Sequence, residues 1–194
     1  CVYQMIYFYE PKATYIHIMK TGGSSFSHWV KQNIHKDKYK HYKNPFTHIT
    51  LEQSLEVEPD PGQVFTIVRN PYDRIVSQFS FLKKKGNDTG KRMKTFDHFV
   101  KTICEDKTFH NFIRVRHDPI NQYEMIGTDD CMFIKLENIT EGFGKIQKMF
   151  NVYKPFPHKN KSAHKEYRKM YNDELRDLVT EACELDLKKF NYFF

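Results

Sequence analysis

The sequence predicts an α/β domain built on a central parallel sheet flanked by helices. Short apolar strands alternate with helical periodicities along the 194 residues, the order that layers helices on a parallel sheet. Residues 63–69, Gln-Val-Phe-Thr-Ile-Val-Arg, hold an almost unbroken apolar run, as expected of a strand buried on both faces. Two strands run directly into polar turns and then helices, and in open α/β sheets ligands bind beyond such strand ends.

The elements follow in order. Residues 15–19 read as the first strand. Lys20-Thr21-Gly22-Gly23-Ser24-Ser25 comes next, and an adjacent glycine pair weakens any strand or helix that contains it, so this stretch is a loop. From Ser24 to about residue 35, Phe26, Trp29, Val30 and Ile34 recur at helical spacing. The strand at 63–69 gives way to Asn70-Pro71, a good N-cap followed by the residue best suited to the first helical position. Ile75, Val76, Phe79 and Leu82 then mark a second helix, and Phe96, Phe99, Val100 and Ile103 a third. Residues 131–136 read as another strand, and Phe143, Ile146 and Phe150 as the helix after it. The last helix is expected to run unbroken over about residues 173–190, with Leu175, Leu178, Val179, Ala182 and Leu185 on one face. Residues 83–94 are basic and contain glycine, which predicts a mobile exposed loop. There is no internal repeat and no linker, so residues 1–194 are expected to form a single domain.

Lys and Arg outnumber Asp and Glu by 31 to 24, a net charge of +7. This suits an anionic partner, although proteins that bind nothing acidic carry similar excesses. No apolar run approaches the ~20 residues of a membrane span, and no signal peptide is visible. The chain begins at Cys1, which is compatible with a processed N-terminus. Cys1, Cys104, Cys131 and Cys183 show no CxxC spacing, which argues against a zinc site and a dense disulfide framework; no metal is expected. Asn87-Asp88-Thr89, Asn138-Ile139-Thr140 and Asn160-Lys161-Ser162 match the glycosylation triplet.

The chemistry sits in two strand–turn–helix junctions. At the first, loop N–H groups and the free N–H groups of a helix start make an anion cradle. Gly22 and Gly23 allow close backbone approach, Lys20 adds a charge, and Thr21, Ser24 and Ser25 add donors. A Walker loop places its lysine after the glycines; here the lysine precedes them. At the second junction Arg69 can fork onto a phosphate and Ser77 can supply a hydroxyl. Asp73 reads as a helix-capping residue, and Arg74 as a partner for a carboxylate.

Together "KTGGSSF" and "VFTIVRNPYDRIVSQF" resemble the 5′-phosphosulfate loop and the 3′-phosphate strand–helix of sulfotransferases that use 3′-phosphoadenosine 5′-phosphosulfate (PAPS). "NKSAHKEYRKMYNDELRDLV" resembles the late basic loop and final helix of the carbohydrate branch, which includes heparan sulfate 2-O-sulfotransferase. The pieces stand in family order and bracket most of the chain. Met19 departs from the pattern, which commonly has proline there. The resemblance implies a three-layer fold like that of the P-loop nucleotide kinases. It also implies that Lys20 contacts the bridging oxygen and 5′-phosphate, with Thr21, Gly22, Gly23, Ser24 and Ser25 around the phosphosulfate. Arg69 and Ser77 would hold the 3′-phosphate, Lys161 and Ser162 would come from the late loop, and Arg168 would reach the nucleotide. PAP would be the product.

Sulfuryl transfer resembles phosphoryl transfer, with in-line attack and charge growing on the leaving oxygen. A hydroxyl acceptor also needs a base. His48, in "NPFTHITLEQ", lies between the two junctions, where the related carbohydrate enzymes place a histidine base. Glu52, expected one helical turn on, would orient or replace it. His35 and His41 lie in a lysine-rich run and read as solvated. The basic stretches 36–43 and 83–94 would suit an acidic glycan. The acceptor is expected to be a carbohydrate hydroxyl, with no nucleic-acid partner and no transmembrane segment. A Golgi-lumen catalytic fragment and a soluble microbial or viral enzyme both fit. Two rival readings are a nucleotide or small-molecule kinase, which would want a Walker lysine and a magnesium-binding acid, and a non-catalytic polyanion-binding module.

Overall fold

The structure, a computed structural model, describes residues 5–42, 48–85, 94–106, 108–110, 117–157 and 166–194. In chain order the elements are β1 (Met5–Tyr9), β2 (Lys12–Ile16), α1 (Gly23–Asn33), β3 (Tyr39–Tyr42), α2 (Leu51–Leu55), β4 (Gln63–Val68) and α3 (Pro71–Lys85). They continue as α4 (Phe96–Glu105), β5 (Thr108–His110), β6 (His117–Pro119), β7 (Met132–Lys135), α5 (Ile139–Phe150), α6 (Asp173–Ala182) and α7 (Glu184–Phe190). The chain forms two compact units, Cys1–Arg69 with Met125–Lys161 and Asn70–Glu124 with Ser162–Phe194.

The first unit holds a five-stranded sheet in the order β3-β1-β2-β4-β7. Strands β2, β4 and β7 run parallel, while β1 pairs antiparallel with both β2 and β3. The parallel centre is as expected; the antiparallel edge is an addition. A run as short as Met5–Tyr9 has too little length for its period to separate strand from helix.

Alternation along each strand divides the core between the two sheet faces. Ile6, Phe8, Ala13, Tyr15, Phe65 and Ile67 pack with Phe26, Trp29 and Val30 of α1 and Phe143 and Ile146 of α5. Met5, Tyr7, Ile16 and Val64 face the other way and pack with Leu51 of α2 and with Ile126. Both faces are covered, and that is why the strands read as nearly continuous apolar runs. The strand expected at 15–19 is β2, which spans Lys12–Ile16. His17, Ile18 and Met19 stay buried after leaving the ladder, so burial prolonged the apolar pattern past the last strand pair.

In the second unit the start of α3 is as expected. The Tyr72 amide donates to Asn70 Oδ1 at 3.0 Å, and Pro71 takes the first helical position. Helix α4 is also as expected, and the Thr95 hydroxyl caps it by accepting from the His98 amide at 3.2 Å. The last helix is a correction. It breaks at Cys183 (φ −105°, ψ 19°) into α6 and α7. Leu185, expected on the buried face, is exposed, and Asp186 is fully buried instead.

Asp186 explains the break. Its carboxylate accepts from the Gln122 amide at 2.7 Å, the Gln122 side chain at 2.9 Å and the Tyr123 amide at 2.9 Å. Arg74, itself buried, lies 3.9 Å away and donates to the Ile120 carbonyl at 3.0 Å. Arg74 therefore pairs with a carboxylate, as its sequence position suggested. Burial pushes the Asp186 carboxyl up, and Arg74 and the three N–H donors pull it back. Burial also pushes the Cys104 and Cys131 thiols up to about 12. The stretch 83–94 expected to be a mobile loop lies mostly outside the described residues.

Removing one partner of a buried ion pair leaves the other uncompensated. Asp186→Ala is expected to destabilise the protein by about 3–5 kcal/mol, seen as a lower urea midpoint. A loss under about 1 kcal/mol, the level of an exposed pair, would show that the carboxylate does not hold Arg74 in place.

Candidate functional site

The loop after β2 is built by backbone constraint. Lys20 adopts a left-handed conformation (φ 67°), and so does Gly22 (φ 93°). The Thr21 hydroxyl donates to the Ile18 carbonyl at 2.8 Å and its side chain is fully buried. The hydroxyl expected as a ligand donor is thus committed to the loop itself. Gly22 is the N-cap of α1, with no side-chain capping bond and no acidic residue in the first turn. The amides of Gly23 and Ser24, at the helix start, have no intrahelical acceptor. Such a terminus favours an anion. Ser24 is exposed, Ser25 buried and Lys20 half-buried.

The two glycines serve different needs. Gly22 supplies the positive φ, and a Cβ there would lie 3.0 Å from Leu136 Cδ1 and 3.5 Å from Phe156 Cζ. Gly23 makes room for a side chain: a Cβ there would fall 2.0 Å from both Cδ2 and Nε2 of His17.

Arg69, just past β4, joins the two sequence motifs. Its Nη1 donates to the Lys20 carbonyl at 3.2 Å. The parallel pairing of β2 with β4, Tyr15 opposite Phe65, delivers both strand ends to the same edge of the sheet.

His48 is half-buried, and its ring meets that of His17 edge to face, with centroids 5.0 Å apart at 88°. His17 is 5% exposed and stacks on Tyr15 at 6.2 Å. Sequence reasoning missed His17; the available signal was a histidine inside an apolar run directly before a glycine loop. Glu52 differs from expectation. Helix α2 begins only at Leu51, capped by Thr50, which accepts from the Gln53 amide at 3.2 Å while Gln53 Oε1 accepts from the Thr50 amide at 3.1 Å. His48 lies outside that helix, so the one-turn spacing to Glu52 does not arise, and Glu52 is exposed. His35 is exposed beside Asp37. His41 is a correction: it is half-buried on β3, its ring 4.9 Å from that of Tyr39, because β3 was not anticipated.

In the second unit, Ser77 is buried on α3. Arg168 is exposed on a short 3₁₀ turn, Tyr167–Met170, with its guanidinium 4.9 Å from the Tyr167 ring centroid and 5.9 Å from that of Phe194. Lys161 and Ser162 lie outside the described residues. Among the described residues, no group of three His, Cys, Asp or Glu is placed to hold a metal, and no helix is long and apolar enough to cross a membrane.

Comparison with known families gives one match. A family model described as "Sulfotransferase family" covers residues 3–193. No curated protein and no solved structure gives a significant match.

The loop geometry makes a direct prediction. Gly22→Ala forces a Cβ into the left-handed region, at about 1–2 kcal/mol, and against Leu136. The variant is expected to lose roughly that stability in urea unfolding and to bind anions at the loop more weakly. An unchanged midpoint would mean that the loop relaxes without the positive φ.

Proposed function

The chain belongs to the sulfotransferase family, and on that premise we propose that it moves a sulfuryl group from PAPS to a hydroxyl of a carbohydrate, as the heparan sulfate 2-O-sulfotransferase branch does. The observation that carries the proposal is the hydrogen bond from Arg69 to the Lys20 carbonyl. It unites the two stretches that resemble the 5′-phosphosulfate loop and the 3′-phosphate strand end. Residues 1–194 work as one domain in this reading. Each compact unit is made of two stretches that alternate along the chain, so neither can be cut out as one segment.

The roles follow from charge and position. Lys20, with the free amides of Gly23 and Ser24, binds the 5′-phosphate and neutralises charge on the leaving oxygen as the S–O bond to phosphate breaks. Ser24 is exposed, and in this reading its hydroxyl serves the sulfuryl oxygens. Arg69, whose guanidinium presents a rigid fork of N–H donors, reads the 3′-phosphate. Ser77, Ser25, Lys161, Ser162 and Arg168 retain the nucleotide-binding roles that the resemblance implies. His48 takes the acceptor's proton as the acceptor oxygen bonds to sulfur, and PAP leaves. The chain holds the reactants in line, so placement and electrostatics supply the rate.

Two measurements test this reading. PAP and ATP affinities, compared without magnesium, are expected to favour PAP; a preference for ATP would indicate a kinase-like protein. Lys20→Ala is expected to slow transfer about a hundredfold, roughly 3 kcal/mol for one lost charged contact. Its unfolding midpoint should barely move, because the lysine is not in the core. Near-normal turnover in that variant would remove Lys20 from the mechanism.

A further inference from the structure

His17 has no part in the chemistry described so far, yet the geometry singles it out. Its ring is 5% exposed and is held on three sides. Tyr15 stacks on it at 6.2 Å, with ring planes 20° apart. The backbone of Gly23 leaves it a space that any Cβ would fill. The His48 ring stands perpendicular to it at 5.0 Å. Tyr15 is itself locked in the core, 4.3 Å from the Phe26 ring and 5.5 Å from that of Phe65. An unbroken line of packed rings therefore runs from the sheet core through Tyr15 and His17 to His48.

The line passes beside the donor loop. Gly23 opens α1 and, in the reading above, its amide faces the phosphosulfate. The side chain that packs on Gly23 is the one that touches the base. One ring thus measures the spacing between the loop that holds the sulfuryl donor and the imidazole that takes the acceptor's proton. A reacting group supported only from a loop is less well placed than one backed by a packed side chain.

We propose that His17 is the positioning residue for His48. Its ring, wedged against Gly23, sets the place of the base relative to the donor loop. The proposal rests on the sulfuryl-transfer reading and deepens it.

The experiment compares wild type with His17→Ala and His17→Phe by two readouts. The first is steady-state transfer from PAPS. His17→Ala is expected to lower kcat by about 10²-fold, the loss that follows from misplacing a reacting group by about 1 Å, while KM for PAPS stays within about twofold because the loop amides and Lys20 remain. His17→Phe keeps a flat ring on Gly23 and against His48 and is expected to restore most of kcat. The second readout needs no activity: the imidazole ¹H–¹³C NMR signals of His48, assigned by its loss in His48→Asn. They are expected to move and broaden in His17→Ala and to stay sharp in His17→Phe. An unmoved His48 signal in His17→Ala overturns the positioning role whatever the reaction is. A kcat loss matched by an equal rise in KM for PAPS overturns it too, since His17 would then serve only the loop. A His17→Phe variant as slow as His17→Ala overturns the ring-packing account. If wild type makes no sulfated product while the His48 signal responds as expected, the sulfuryl-transfer reading fails and the packing between the two rings stands.

Discussion

The arrangement of the site depends on one hydrogen bond, from Arg69 Nη1 to the carbonyl of Lys20. Lys20 has a positive φ, which a residue with a Cβ adopts at a cost of about 1–2 kcal/mol. Something must hold it there, and a bond from a cationic donor, of the order of 1.5–3 kcal/mol, is enough to offset that cost. The bond can form only because β2 and β4 are parallel neighbours, with Ala13 opposite Gln63 and Tyr15 opposite Phe65. Had β4 paired antiparallel, as β1 does with β2, Arg69 would emerge at the opposite end of the ladder. Strand direction thus comes before loop chemistry in the order of causes.

The glycine pair shows how a short motif can hide two separate constraints. Gly22 answers a backbone demand, the left-handed turn that ends the loop and caps α1. Gly23 answers a packing demand, the ring of His17. In the sequence both look like room for a phosphate. Only the side chains that surround them separate conformational freedom from steric space. The hydroxyl residues divide in a similar way: Thr21 ties the loop to Ile18 from within, and Ser24 is exposed.

Much of the fold was legible because local signals and burial agreed. Asn70-Pro71 announced the start of α3, and the apolar run before it announced a strand covered on both faces. The Thr50 and Gln53 side chains cap α2 reciprocally, and this local signal starts the helix after His48, against the expected one-turn spacing to Glu52. The break at Cys183 was hidden for a different reason. Leu175, Leu178, Val179, Ala182 and Leu185 form a plausible continuous stripe, and the buried partner that rotates it is Asp186, whose ligands Gln122 and Tyr123 lie more than sixty residues away. No local pattern encodes that contact. His17 was hidden likewise, since its neighbour His48 comes from another part of the chain.

The donor and acceptor sides of the proposed reaction differ in how sequence encodes them. A phosphosulfate is held by backbone amides, glycines and one or two cations close together in the chain, so its site is written locally. The basic stretch at 36–43, which suggested an acidic glycan, carries less free charge than its composition implies. Lys38 lies 3.5 Å from Glu10 and Lys40 lies 4.0 Å from Glu58. A glycan carboxylate or sulfate would have to replace those acids, exchanging one exposed ion pair for another, and each such pair is worth only about 0–1 kcal/mol. Net charge therefore discriminates weakly among acceptors at this stretch. In the proposed reaction, selection falls instead on which hydroxyl reaches His48 in line with the donor, and under the positioning proposal that depends on where the His17 ring holds His48.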